Sequence, residues 1–151
     1  MEGKLSHTDS SGRARMVDVG HKPDQLRIAS ARGFINMQPG TVELVRQNSI
    51  KKGDVLKIAE IAGIQAAKQT PSLIPLCHSL ALSQVTVTAE LTGKGVEVTT
   101  ECRCTGKTGV EMEALTAAGV ALLTIYDMCK SVDKSMVIGG MELTGKSKKD
   151  V

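Results

Sequence analysis

The sequence predicts an α+β fold, a ferredoxin-like antiparallel sheet with helices on one face. Three observations carry that expectation. Residues 84–91 alternate Val and Thr, the run Thr92-Gly93-Lys94-Gly95 turns the chain, and residues 96–104 alternate again, which is a hairpin pattern. Residues 110–130 then run without a proline through an Ala- and Leu-rich centre, giving a helix of roughly five to six turns. Further strand patterns at 26–37 and 136–143 flank these, so the order is strand, short helix, helix, hairpin, long helix, strand.

Each element has a local reason. Residues 1–15 are polar and read as a loose arm that orders on assembly, ahead of a single α+β domain over 16–146 and a basic tail at 147–151. Residues 26–37, LRIASARGFINM, read as a strand, and its Arg27 and Arg32 need phosphate, carboxylate or solvent as partners. Gln38-Pro39-Gly40 is a turn, and Thr41 caps a short helix reaching Arg46 or Gln47. After the basic loop 48–53, Asp54 caps a helix over 55–69 that ends at Thr70-Pro71. Residues 71–83 form an apolar loop presenting Cys77 and His78 together. The glycine-bracketed turn Gly106-Lys107-Thr108-Gly109 opens the long helix, and the segment after Leu143 reads as basic and loose.

Composition narrows the function classes. The chain has 151 residues, enough for one domain with a sizeable core. Hydrophobic residues make up 41%, yet there is one Phe, one Tyr and no Trp, so the core is built from Ala, Val, Leu, Ile and Met. That scarcity argues against base stacking on single-stranded nucleic acid. A net charge of +3 is too mild to imply nucleic acid and suits a small anionic ligand. No apolar run reads as membrane-spanning and the first residues lack a signal-peptide core, so the expectation is a cytoplasmic protein without a membrane partner. Cys77, Cys102, Cys104 and Cys129 then stay reduced, and their spacing is C-x-C plus two singletons rather than paired C-x-x-C. Cys102 and Cys104 face one side of their strand, as packing residues.

Several residues can carry chemistry, each with an ordinary alternative. Gly140 to Ser147 spells G-x-x-x-x-G-K-[ST], but only four residues follow Ser147, too few for the helix that a phosphate loop needs. The Lys107-Thr108 turn lacks the first glycine of that motif, and is either a phosphate contact or a structural turn. His78, as an imidazole, is an acid–base candidate or a structural histidine. Lys52, beside Gly53, is either a phosphate contact or a solvated lysine. Asp127 opposes the helix dipole in a last turn, and Lys130 at i,i+3 can compensate it. Glu113 lies four near-whole turns before Asp127 on a similar face, about 21 Å away at 1.5 Å per residue. One chain therefore cannot bring both to one reacting atom. Either they grip opposite ends of a large ligand, or each joins a site completed by another subunit.

The runs MVDV (16–19), KKGDV (51–55), IAGIQAAK (61–68), LIPLCH (73–78), TGKTGVEMEALTAA (105–118) and TIYDMCK (124–130) resemble the cyclic pyranopterin monophosphate synthase family over residues 5–146. The resemblance implies a lyase of molybdenum-cofactor (molybdopterin) biosynthesis. Such an enzyme converts a cyclised 7,8-dihydro-GTP intermediate to cyclic pyranopterin monophosphate and releases pyrophosphate. It implies a ferredoxin-like subunit in a homohexamer, a trimer of dimers with interfacial sites, needing no cofactor and no metal. Carried over residue by residue, it makes Asp127, Lys130 and Lys52 catalytic. It makes Leu76, Cys77, His78, Glu111, Met112, Glu113, Arg27 and Lys146 substrate-binding. Two other classes remain open on the residues: a zinc-dependent GTP-ring-opening hydrolase using Cys77, His78, Cys102 and Cys104, and a nucleotide-binding module without turnover.

Overall fold

The computed structural model describes residues 7–151, so the part of the expected loose arm at residues 1–6 lies outside the described residues. The elements are β1 (Gln25–Asn36), α1 (Pro39–Arg46), α2 (Val55–Leu73), β2 (Leu82–Thr92), β3 (Gly95–Gly106), α3 (Glu111–Cys129) and β4 (Val137–Asp150). The four strands form one antiparallel sheet in the order β2-β3-β1-β4, with α2 and α3 packed on one face. That is the predicted α+β arrangement with the βαββαβ strand order.

Strand alternation builds the core. Ala29, Ala31 and Ile35 of β1 and Val96, Val98, Cys102 and Cys104 of β3 point to the helix-covered face and are buried. Against them α3 turns Ala114, Ala117, Ala118, Ala121, Leu122 and Ile125, all fully buried. Small side chains permit close approach: a methyl on Gly63 of α2 would press on the Ala117 carbonyl and both Val87 methyls at 3.0 Å. Thr100 of β3 donates to the Ala114 carbonyl at 2.7 Å, fixing α3 along the sheet. By length and composition α3 is apolar enough to cross a membrane, contrary to the expectation that no run reads that way, but its buried face packs on the sheet and α2.

Three further expectations are corrected. Thr41 does not cap the short helix, because α1 already begins at Pro39 with Gln38 in the N-cap position. Helix α2 does not end at Thr70-Pro71 but continues to Leu73, with Ile74 N–H donating to the Thr70 carbonyl at 2.9 Å. A proline gives up its own N–H bond and crowds the carbonyl four residues back, and α2 bears both within its last turn. The buried Thr70 hydroxyl also donates to the Ala66 carbonyl at 3.1 Å. The segment after Leu143 is not loose, since β4 pairs with β1 as far as Asp150. Its register shifts twice, and Gly140, at φ +64°, takes up one shift between the Arg32–Glu142 and Phe34–Gly139 pairs.

Residues 7–15 fold into a tight turn around Asp9, whose carboxylate accepts the Ser11 and Arg13 amides, and Thr8 bridges to Ala14. The following segment is clamped at two carbonyls. His78 donates to Val17 O at 2.6 Å, and Lys107 Nζ donates to Lys22 O at 2.7 Å.

Candidate active site

The candidate residues gather at the two ends of α3. At the N-terminal end the glycine turn brings Thr108, Gly109, Glu111, Met112 and Glu113 onto one wall of a cavity of about 330 Å³. Leu76, Cys77 and His78, from the loop after α2, form another wall, and Val17, Val19 and Lys22 close the rim. A carbonyl can only accept, so the His78–Val17 bond places the proton on Nε2 and leaves Nδ1 as the acceptor of the neutral ring.

Glu113 is 3% exposed. Burial holds its carboxyl above the usual range; its own backbone amide opposes that, and the nearby Glu111 charge adds to it. Burial likewise raises the Cys77 thiol, with Glu113 contributing, so this wall offers a neutral thiol rather than a thiolate. Cys102 is pushed up to about 12 by burial, and Cys129 up to about 11, which fits packing residues. Among the described residues no group of three or more His, Cys, Asp or Glu side chains has the geometry to hold a metal ion.

A second cavity of about 360 Å³ adjoins the first, sharing Gly109 and Glu111. It is cationic: Arg27 of β1 and Lys146 and Lys148 of β4 line it. Lys146 lies 3.6 Å from Glu111. Arg27 donates through Nη2 to the Lys107 carbonyl at 3.2 Å, while its buried Nε has no hydrogen-bond partner among the described residues. The eight predicted binding residues therefore meet around these two cavities. The Lys107 side chain of the Lys-Thr turn is engaged with Lys22 and Asp24. The other phosphate-loop lookalike, Gly140 to Ser147, is strand rather than loop.

The C-terminal end of α3 holds the predicted catalytic three. Lys130 Nζ and Lys52 Nζ each lie 3.0 Å from the Asp127 carboxylate, one on either oxygen. Lys52 also donates to the Asp127 backbone carbonyl at 3.0 Å, satisfying one of the carbonyls left free at a helix end. The hydrogen bond from Lys130, then that from Lys52, holds the Asp127 carboxyl below its ordinary range. At neutral pH the cluster is one anion under two ammonium groups, with net positive charge facing solvent. All three side chains are about half exposed, at 48–56%.

The two ends do not meet within one chain, because fourteen residues of straight helix set Glu113 and Asp127 about 21 Å apart. Sequence reasoning passed over several cavity residues, among them Val17, Lys22 and Lys148. Val17 and Lys22 reach the site through backbone clamps that have no local signature, and Lys148 reaches it because β4 is longer than its pattern suggested.

Comparison with known proteins agrees over nearly the whole chain. The MoaC family profile matches residues 16–149. A cyclic pyranopterin monophosphate synthase of Chloroflexus aggregans is 56% identical over 145 residues, covering 95% of this chain and 88% of the relative. The synthase of the same name from Desulfitobacterium hafniense is 52% identical, covering 95% and 89%. Human molybdenum cofactor biosynthesis protein 1 is 52% identical over 146 residues, covering 95% of this chain and 23% of the human protein. With the family profile matched over most of the chain and relatives at 52–56% identity, the chain belongs to the MoaC family.

Proposed function

We propose that this chain is a cyclic pyranopterin monophosphate synthase. It takes a cyclised 7,8-dihydro-GTP intermediate and yields cyclic pyranopterin monophosphate and pyrophosphate, as a phosphorus–oxygen lyase. The observation that carries this is the pair of adjoining cavities. One is lined by His78, Cys77 and two carboxylates, suited to a base that is being rearranged. The other is lined by Arg27, Lys146 and Lys148, suited to phosphates. The unpartnered Arg27 Nε supports this, since a buried donor without an acceptor is rare and a phosphate oxygen would satisfy it.

The chemistry follows from the groups present. A ribose oxygen attacks the α-phosphorus while a nearby base takes its proton. The new P–O bond forms as the bond to the pyrophosphate oxygen breaks, and cations balance the charge developing on the departing group. Asp127, Lys130 and Lys52 are the catalytic group in this reading, and Lys130 and Lys52 carry the ammonium protons available for donation. Because one chain holds its two clusters about 21 Å apart, each site unites the cavities of one subunit with the Asp127 cluster of another. The assembly is a homohexamer, a trimer of dimers, acting in the cytoplasm on a small molecule.

Incubation with the cyclised dihydro-GTP substrate, following pyrophosphate and pterin together, tests the proposal. Release of both in equal amounts is expected. Saturable binding with no pyrophosphate would overturn it in favour of a binding module, and activity lost and restored with stoichiometric zinc would favour a hydrolase. Light scattering tests the assembly: a mass near 16.0 kDa in a fully active sample would sink the shared site.

A further inference from the structure

Asp133 lies outside every group described so far. It sits three residues past Lys130, beyond the end of α3, and is 2% exposed. Its carboxylate accepts four hydrogen bonds, all at 2.9 Å. Oδ2 takes the Gln38 amide and the Thr41 hydroxyl; Oδ1 takes the amide and hydroxyl of Ser135. Gln38 is the N-cap residue of α1, and its own side chain makes no capping bond. A Ser, Thr, Asp or Asn at that position would cap α1 locally. Here the carboxylate comes from 95 residues away, so the cap also docks α1 on the end of α3. The Asp133 amide closes the other side, donating to the Cys129 carbonyl at 3.1 Å.

Helix α1 leads directly to Lys52. Its last turn passes into a tight loop, with Ser49 N–H donating to Leu44 O at 2.8 Å and Gly53 N–H to Ile50 O at 3.0 Å. From that loop Lys52 crosses back to Asp127 on α3. The chain thus makes a closed circuit, from Asp127 along the end of α3 to Asp133, across to α1, down α1 to Lys52, and back.

We propose that Asp133 is a positioning residue for the reaction: it fixes α1 and the loop after it so that Lys52 rests on Asp127 beside Lys130. This rests on the reading of those three residues as the catalytic group. An exposed lysine has no packing of its own to hold it, so its placement depends on the rigidity of the loop that carries it.

Two variants test it, Asp133→Ala and Thr41→Val, each read by steady-state turnover and by NMR titration of the Asp127 carboxyl carbon. In Asp133→Ala, Asp127 should titrate higher than in the parent, because Lys52 no longer holds it. The kcat should fall on the order of a hundredfold, as for a displacement of about 1 Å. The KM should stay within about twofold, because the cavity residues at the other end of α3 are untouched. Thr41→Val removes one bond of the four and should give the same changes on a smaller scale, which keeps the test decisive if Asp133→Ala does not fold. Parent-like titration and turnover in folded Thr41→Val would overturn the proposal, as would a loss of kcat with Asp127 titrating as in the parent. Lys52→Ala separates the two ideas. If turnover survives Lys52→Ala, the functional reading of the cluster fails. If it is lost while folded Asp133→Ala behaves as the parent, only the positioning role fails.

Discussion

At the N-terminal end of α3 most candidate residues line cavities and Glu113 is buried; at the C-terminal end all three stand half in solvent. The first group lines cavities with a carboxylate, Glu113, buried to 3% exposure, and a thiol kept neutral by its surroundings. The second is three exposed charges joined by contacts of 3.0 Å. Exposed ion pairs contribute little to stability, so the C-terminal cluster is not explained as a brace for the fold. Its charges would act strongly only in a drier setting. The contrast fits the proposed shared site, in which a second subunit would enclose the exposed half.

The largest expected effect breaks the exposed half. Asp127→Asn removes the anion shared by Lys52 and Lys130 at nearly constant shape. Turnover should fall by about a thousandfold or more, the range for a group acting in the transition state, while substrate binding, measured by calorimetry, persists. Lys130→Ala should cost as much. If Asp127→Asn keeps near-parental kcat, the cluster is a surface ion pair and the comparison collapses.

A mixing experiment sharpens the comparison further. Asp127→Asn and Glu113→Ala, each inactive alone, should regain partial activity after subunit exchange, since a mixed interface can pair an intact cavity from one chain with an intact cluster from another. The check is turnover before and after exchange, with exchange shown by mass spectrometry. No recovery would place both residues in one chain's contribution and refute the shared site.

These tests concern residues of unequal legibility. The hairpin, the long helix and the strand order followed from periodicity and glycine turns, and the N-terminal half-site is contiguous enough for its motif to name most of its walls. The C-terminal cluster was half visible. The Asp127–Lys130 pair is an i,i+3 neighbour, but Lys52 meets it across 75 residues, and only the family resemblance supplied it. Asp133 carried no signal, because a buried carboxylate that caps a distant helix looks like any surface Asp in a polar run. Pro71 and the glycines and lysines of β4 misled for a related reason. Local propensity marks them as breakers, while the helix end and the pairing with β1 decide otherwise.

A smaller effect is expected at the boundary of the two cavities. A methyl on Gly109 would collide with the Glu111 carboxylate, which is the free end of a flexible side chain. Gly109→Ala should therefore fold normally, within about 0.5 kcal/mol of the parent. It should still push Glu111 from its place beside Lys146 and lower kcat/KM by roughly tenfold. Thermal melts and steady-state kinetics check this together. Parental kcat/KM would show that the position of Glu111 does not matter.

The smallest effect is a stability difference that appears only with pH, and it isolates what burial does at the enclosed end. Glu113 titrates higher in the folded chain than in the unfolded chain, chiefly because it is buried. In the pH range between those two values the folded state binds more protons, so stability falls as pH rises through it. Below the ordinary glutamate range the residue is neutral in both states and costs nothing; above the raised value the full penalty of a buried anion applies. Glu113→Gln removes the titration and replaces it with a constant contribution from the amide. The difference in Tm, variant minus parent, should be flat at low pH, rise from the ordinary carboxylate range through the raised value, and level off above it. The rise should be about 2–4 °C for each kcal/mol relieved in a chain of this size. Asp127→Asn should show the opposite sign, because its lysines lower that carboxyl: the variant loses stability relative to the parent as pH climbs out of the acid range. Curves of the same sign would mean that the two ends of α3 are electrostatically alike, and the contrast between an enclosed and an open half-site would have no basis.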